Sequence, residues 1–277
     1  MKNQAKITVK AWQSPGILLE KYDYTSGTVE PLLKHSHDEY QLGLSFNCQG
    51  EYYYRGSYNL IPIGNLSIIH SGEVHFPSQR TSLPTPVSFL MMHVDSNLLK
   101  TITSEIACKR VSFPFFPQVS ICDSQIISLF QKLYVPETKR LTKLERDSLI
   151  LDLFASLIIR HAQERPSIQI PKIVKPAIAR VRELIQSHYA DNLSLKKLAN
   201  IAGLSPYYLS RSFCREMGVS LSSYQMQIRI DRAKKLLAQG KPIVRIASEI
   251  GFYDQSHFAL HFKRLVGTTP GNYKKEQ

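Results

Sequence analysis

Apolar and polar positions alternate from Tyr40 onward, where Tyr-Gln-Leu-Gly-Leu-Ser-Phe places Tyr40, Leu42, Leu44 and Phe46 on one face of a strand. Further strand-like stretches follow at Glu51 to Tyr58, rich in tyrosine, at Leu66 to His70 and at Val87 to Val94, separated by clusters of Gly, Pro, Asn and Ser. Many short strands broken by turn signals predict a small barrel or sandwich. Beyond about residue 120 the period changes to helical. Ile126, Leu129, Phe130 and Leu133 fall at i, i+3, i+4 and i+7 of one helix. Thr142 and Glu145 form a capping box for a second helix, in which Leu144, Leu151 and Ile158 repeat every seven residues beside Ile150, Phe154 and Leu157. That helix is apolar over more than one stripe, so it is either buried in its own domain or lends a stripe to a partner chain. Pro166, Pro171 and Pro176 then deny a continuous helix. We place a domain of residues 1–165 before them, a linker at 166–176 and a second domain at 177–277.

The second domain contains a repeat. Leu195, Leu198, Ala199, Gly203 and Leu204 recur 48 residues later as Ile243, Ile246, Ala247, Gly251 and Phe252. Leu209, Phe213, Gly218 and Tyr224 recur 49 residues later as Phe258, Phe262, Gly267 and Tyr273. Two copies of one supersecondary unit explain this agreement, and each reads as helix, tight turn, helix. In the first copy Ser194 is the N-cap, Gly203 supplies the turn, and Ser205 caps the second helix with Pro206 at its first position. Ala199 is small where that helix crosses. In the second copy Pro242 opens the first helix, Gly251 makes the turn and Asp254 is the N-cap. Leu221 to Gln239 is a connecting helix ended by Gly240, about 28 Å long at 1.5 Å per residue. Successive major grooves on one face of B-DNA lie roughly 34 Å apart. With Leu209, Phe213, Phe258 and Phe262 facing the core, Tyr207, Ser210 and Arg211 of the first copy are outward, as are Gln255, Ser256, Ala259 and Leu260 of the second. Lys263 and Arg264 are placed to reach phosphates.

Charge strengthens the same picture. Of the formal net charge of +13, residues 171 to 277 supply +11, from 18 Lys and Arg against 7 Asp and Glu. A basic face suits phosphate backbones. The first ten residues hold no apolar core of the length a secretion signal needs, and no apolar run approaches a membrane span, so a cytoplasmic protein without membrane contact is expected. Cys48, Cys108, Cys122 and Cys214 are scattered, with no Cys-x-x-Cys pair to frame a zinc site or a disulfide.

Along I-A-x-x-x-G-F-x-x-x-S-x-F-x-x-x-F-K-x-x-x-G-x-x-P-x-x-Y the chain carries Ile246, Ala247, Gly251, Phe252, Ser256, Phe258, Phe262, Lys263, Gly267, Pro270 and Tyr273. In these residues it resembles the AraC family of transcription regulators. The resemblance implies a sequence-specific, effector-responsive regulator, expected to activate, that contacts double-stranded DNA in two successive major grooves and engages RNA polymerase. It puts Tyr207, Ser210 and Arg211, with Gln255, Ser256 and Leu260, at base-facing positions. Leu260 stands where the family commonly has arginine, so a thymine methyl replaces guanine as its natural contact.

The segment His35-Ser36-His37-Asp38-Glu39-Tyr40-Gln41 resembles the first motif of cupin barrels, and Gly64, Gly72 and His75 echo the second. Gln41 stands near the expected glutamate, and His70 replaces a proline. The fold expected is therefore α+β and multidomain, with an N-terminal cupin-like β-barrel followed by helices and a C-terminal all-α domain of two helix-turn-helix units. A polar barrel face points to a small-molecule effector pocket formed by His35, His37, Gln41 and His75. By strand alternation the pocket takes either Tyr52 and Tyr54 or Tyr53 alone, and Tyr53 is the residue we select. Three roles are open for His35, His37 and His75: contacts to an organic effector, ligands of a divalent metal, or satisfied structural imidazoles. A homodimer through the helices between Ser124 and His161 is also expected. The competing class is a cupin-type metalloenzyme fused to a DNA-binding domain. No nucleophile with a base at recognised spacing supports it, and the chain is read as a regulator without catalytic residues.

Overall fold

A computed structural model describes residues 4–30, 32–78, 82–134, 141–164, 166 and 175–273. Its contacts divide the chain into two compact units, one of Met1–Tyr134 with Leu153–Ile168 and one of Val135–Asp152 with Gln169–Gln277. Among the described residues no helix is long and apolar enough to cross a membrane.

The first unit begins with strands β1 (Ile7–Ser14), β2 (Ile17–Tyr24), β3 (Gly27–Thr28), β4 (Glu39–Ser45), β5 (Gly50–Tyr54) and β6 (Ser57–Ile61). It continues through β7 (Leu66–Ile69), β8 (His75–Pro77), β9 (Ser82–Leu83), β10 (Val87–Asp95), helix α1 (Ser96–Ala107), β11 (Ser120–Ile121) and helix α2 (Ser124–Leu133). A six-stranded sheet runs in the order β1-β2-β10-β4-β7-β11, a second sheet is β6-β5-β8, and β3 pairs with β9. Strand β4 sits between β10 and β7, and Tyr40, Leu42 and Leu44 are buried along it as their alternation predicts. Phe46 departs from that pattern. The strand stops at Ser45, whose hydroxyl accepts the Cys48 N–H at 3.3 Å, and Phe46 is left exposed beyond the turn.

The tyrosine-rich stretch is a hairpin rather than one strand. Arg55 and Gly56 carry φ of 52° and 77°, the paired positive values of a two-residue turn whose twist matches the flanking strands. Strands β1 and β2 and helix α1 also go beyond what periodicity revealed. On β1 the residues are mostly exposed, so there is no alternation to detect. For α1 the marker is Asp95, whose carboxylate accepts the Asn97 N–H at 2.7 Å as an N-cap.

Helix α3 (Lys143–His161) contributes to both units. Its capping box forms: Thr142 N–H donates to Glu145 Oε2 at 2.9 Å, and Glu145 N–H donates to Thr142 Oγ1 at 3.2 Å. Leu144, Leu151 and Ile158 are buried within the single chain, so the stripe suggested for a partner is already covered.

The second unit adds α4 (Lys175–Ser187), α5 (Leu195–Ala202), α6 (Pro206–Met217), α7 (Leu221–Ala238), α8 (Ile243–Glu249) and α9 (Gln255–Val266). Helix α4 starts inside the stretch read as a linker, because Pro176 lies in its first turn, where the missing N–H has no intrahelical partner to lose. The linker residues 167–174, Pro171 among them, lie outside the described residues. Ser194, Ser205 and Asp254 each accept a backbone N–H as N-caps, from Lys197, Tyr208 and His257. Leu198, Ala199, Leu209, Phe213, Ile246, Phe258 and Phe262 are buried.

Gly203 and Gly251 both have positive φ, 66° and 80°, but their surroundings differ. A Cβ on Gly203 would meet open space, whereas one on Gly251 would lie 1.9 Å from the Ala190 carbonyl oxygen. Gly203→Ala should therefore cost about 1 kcal/mol through its backbone conformation alone. Gly251→Ala should cost more than about 3 kcal/mol, since backbone must move. Urea unfolding of the two variants measures the contrast, and equal losses would contradict the packing at Ala190.

Candidate functional site

In the helical unit, α6 and α9 occupy equivalent places in the repeat, with α7 between them. Arg211 is exposed on α6, and Ser210 is half-buried beside it. Tyr207 is a correction: it is only 2% exposed rather than outward. It sits one helical turn before Arg211, whose guanidinium carbon lies 5.6 Å from the centre of the Tyr207 ring. The ring therefore supports the cation from below instead of facing out itself. On α9, Gln255, Ser256, Leu260, Lys263 and Arg264 are all exposed, and Leu260 presents 42% of its surface.

These helices are held by an anchor that the sequence reading did not find. Arg229 on α7 is 2% exposed. Its guanidinium donates to the carbonyl oxygens of Tyr189 at 2.6 Å, Gly251 at 2.8 Å, Asp191 at 3.0 Å and Ala190 at 3.2 Å. Gln225, one turn earlier, donates to Tyr189 and Asp191. Burial lowers the Arg229 pKa to about 10, which still leaves it charged at neutral pH. Sequence offers only a faint signal, an arginine at the spacing of the buried Met226, Ile230 and Ala233.

In the first unit the histidines gather. The His35 and His75 rings are 4.4 Å apart between centroids, His37 and His75 5.0 Å, and His37 and His93 5.2 Å. His35 and His75 also exchange backbone hydrogen bonds. The Nδ1 atoms of His35, His37 and His75 lie against the carbonyl oxygens of Leu33, Glu39 and Glu73 at 2.9, 2.8 and 3.1 Å. With Nδ1–H donating there, the Nε2 atoms of His35 and His75 are acceptors. Gln41 is buried with its Oε1 3.1 Å from His37 Nε2. His75 is 1% exposed and its Nε2 is buried without a hydrogen-bond partner.

His93 and Glu20 complete this group and were missed. His93 faces Gln41 across the β10–β4 pairing, and its Nε2 lies 3.4 Å from Glu20 Oε2, which also accepts the Tyr22 hydroxyl at 3.1 Å. Desolvation lowers the His93 pKa, with the neighbouring His37 acting in the same direction. The parity of His93 with Phe89 and Met91 was the available signal. Tyr53 is a second correction. Tyr54 pairs with His75, while Tyr53 pairs with Phe76 and points to the other side, against Tyr58, Phe76 and the Lys34 ammonium. Tyr52 and Tyr54 are the buried members. His70 belongs to the frame: its Nε2 accepts the Phe116 N–H at 2.9 Å and its Nδ1 lies 2.8 Å from the Tyr54 hydroxyl.

Within the trio of His35, His37 and His75, the His35 and His37 rings are the farthest apart, 6.2 Å between centroids. Among the described residues, the set of three His, Cys, Asp or Glu whose ligating atoms all lie within 4.8 Å of one another is Glu145, His257 and His261.

The chain matches the family model of a helix-turn-helix domain over residues 198–276 and that of the AraC-like ligand binding domain over residues 32–154. A Bacillus subtilis protein described as an uncharacterized HTH-type transcriptional regulator, YbfI, is 29% identical across 88% of this chain and 86% of its own length. The arabinose operon regulatory protein of Escherichia coli is 32% identical, covering 46% of this chain and 44% of that protein. Among solved structures, the C-terminal domain of AraT, a response regulator from Geobacillus stearothermophilus, is 33% identical, with a TM-score of 0.35 over 37% of this chain and 87% of that one. A helical helix-turn-helix domain joined to a ligand-binding sheet domain defines a DNA-binding transcription regulator. This chain belongs to the AraC family of such regulators, as both matched domains indicate.

Burial, aided by the Arg55 charge, lowers the His70 pKa from 6.5 to about 4. The unfolded chain binds a proton there below pH 6.5 while the folded chain does not, so stability is complete above 6.5 and falls as pH drops toward 4. The group should contribute a slope of up to about 1.4 kcal/mol per pH unit within that window. Urea titrations across it should show the decline, with a shallower slope for His70→Gln.

Proposed function

We propose that this chain is an effector-responsive activator that reads two successive major grooves, with α6 entering one and α9 the other. The observation that carries the reading is the internal repeat, together with the helix pairs α5–α6 and α8–α9 that flank α7. The 18 residues of α7 span about 27 Å, close to the roughly 34 Å between grooves. Arg211, an exposed guanidinium over the Tyr207 ring, is suited to a bidentate guanine contact. Ser210 accompanies it, Gln255 and Ser256 lie at the N-terminus of α9, Leu260 suits a thymine methyl, and Lys263 and Arg264 neutralise phosphates. In functional terms residues 177–277 form the DNA-binding domain and residues 1–165 the effector domain, joined by 166–176.

The effector is a small organic molecule with hydrogen-bonding groups, bound inside a cupin-like barrel formed by the sheets of the first unit. The buried, unpartnered Nε2 of His75 supports this, together with the acceptor nitrogen of His35, the His37–Gln41 pair and the His93–Glu20 pair. Activation requires the effector to bind one state of the protein more tightly than the other, and in this family reading the activating state engages RNA polymerase.

Arg211→Ala should cost about 1 to 3 kcal/mol on the specific site and less on random DNA, whereas Lys263→Ala should weaken both equally. Affinities for operator and random duplexes at fixed salt test this, and equal losses for Arg211→Ala would reduce it to a phosphate contact. For the effector, His75→Ala should abolish ligand-dependent thermal stabilisation in a metabolite screen while DNA affinity without ligand stays at the wild-type level. Full stabilisation of that variant would move the ligand elsewhere.

A further inference from the structure

We infer that Glu145, His257 and His261 form a binding site for a first-row divalent cation, best suited to Zn2+, that ties helix α9 to the first turn of α3. The three residues belong to the same compact unit, and their ligating atoms all lie within 4.8 Å of one another. His257 and His261 are four residues apart on α9, so both imidazoles emerge from one helical face, with ring centroids 4.6 Å apart. Two histidines at this spacing are a frequent helical zinc frame, completed by a carboxylate from another element.

The second observation is an unmet need. His257 is 3% exposed, and both of its ring nitrogens are buried with no hydrogen-bond partner. Leaving such a group unsatisfied costs roughly 1 to 3 kcal/mol, so an imidazole retained there calls for a ligand. Only one nitrogen of a neutral ring carries a proton, and the other offers the lone pair a metal takes.

Glu145 is oriented by its neighbours. The Thr142 backbone N–H and hydroxyl both donate to Glu145 Oε2 at 2.9 Å, the kind of outer hydrogen bonding that fixes a ligating carboxylate. The positive charge of Arg229 is near these rings, but four carbonyl oxygens surround its guanidinium. Tetrahedral zinc holds its donors roughly 3.3 Å apart, so the imidazoles would draw in toward the held carboxylate around the ion and leave the fourth position to water. The bound ion would grip the inner face of α9 while Gln255, Ser256 and Leu260 stay on the outer face.

The test uses the full chain, freed of metal by a chelator and titrated with Zn2+ alone, then with Co2+ for its visible absorption. One equivalent of Zn2+ should bind at micromolar concentration and raise the unfolding temperature. His261→Ala and Glu145→Gln should each lose at least about 100-fold in affinity and the Co2+ band, because each removes a direct ligand. Both positions are only half-buried, and circular dichroism verifies that the variants are folded. His35→Ala reports separately on the histidines of the first unit. Failure of the wild type to bind, unchanged binding in both His261→Ala and Glu145→Gln, or loss that follows His35→Ala instead would each overturn the proposal. These readouts need no DNA, so they stand apart from the groove-reading proposal.

Discussion

The second unit depends on one buried cation. The Arg229 guanidinium satisfies carbonyl oxygens from the turn after α4 and from the turn between α8 and α9, two places some sixty residues apart in sequence that secondary structure leaves with spare acceptors. A charge taken out of water is tolerable only when its donors are matched, and here they are matched by main chain rather than by a carboxylate. The absence of a Cβ at Gly251 belongs to the same junction, since the Ala190 carbonyl occupies the space a side chain would need. Position and angle of α9 follow from that junction, and so does the surface it presents.

What could be read from sequence was what is written locally. The caps at Ser194, Ser205 and Asp254, the Thr142–Glu145 box and the inward Leu209, Phe213, Phe258 and Phe262 depend on neighbours within one or two turns, and all appear in the structure. The family of the chain was legible for the same reason, because its signature is a run of local helix and turn requirements.

What could not be read depends on which elements meet. Tyr207 lies on the side of α6 that a helical wheel leaves open, but a large ring next to an arginine gains more from burial than from water. His93 and Glu20 come together only through the pairing of β10 with β2 and β4, and no sequence spacing links them. Glu145 and His257 are separated by more than a hundred residues. Tyr53 fell on the wrong side because alternation fixes two faces without saying which is inside.

The two helix pairs differ at their entrances. Helix α5 begins with the Ser194 cap and with an Asp147 carboxylate oxygen 3.0 Å from the Leu195 N–H, whereas α8 follows Pro242 and has no side-chain cap. The first turn of α8 therefore leaves its amides to solvent, and its seven residues offer little length over which to recover that loss. The expected consequence is that amide protons there exchange through local fraying, while those of α5 exchange only through larger openings. The two copies are alike in sequence pattern and unlike at their entrances, which side chains close in the first copy and leave open in the second.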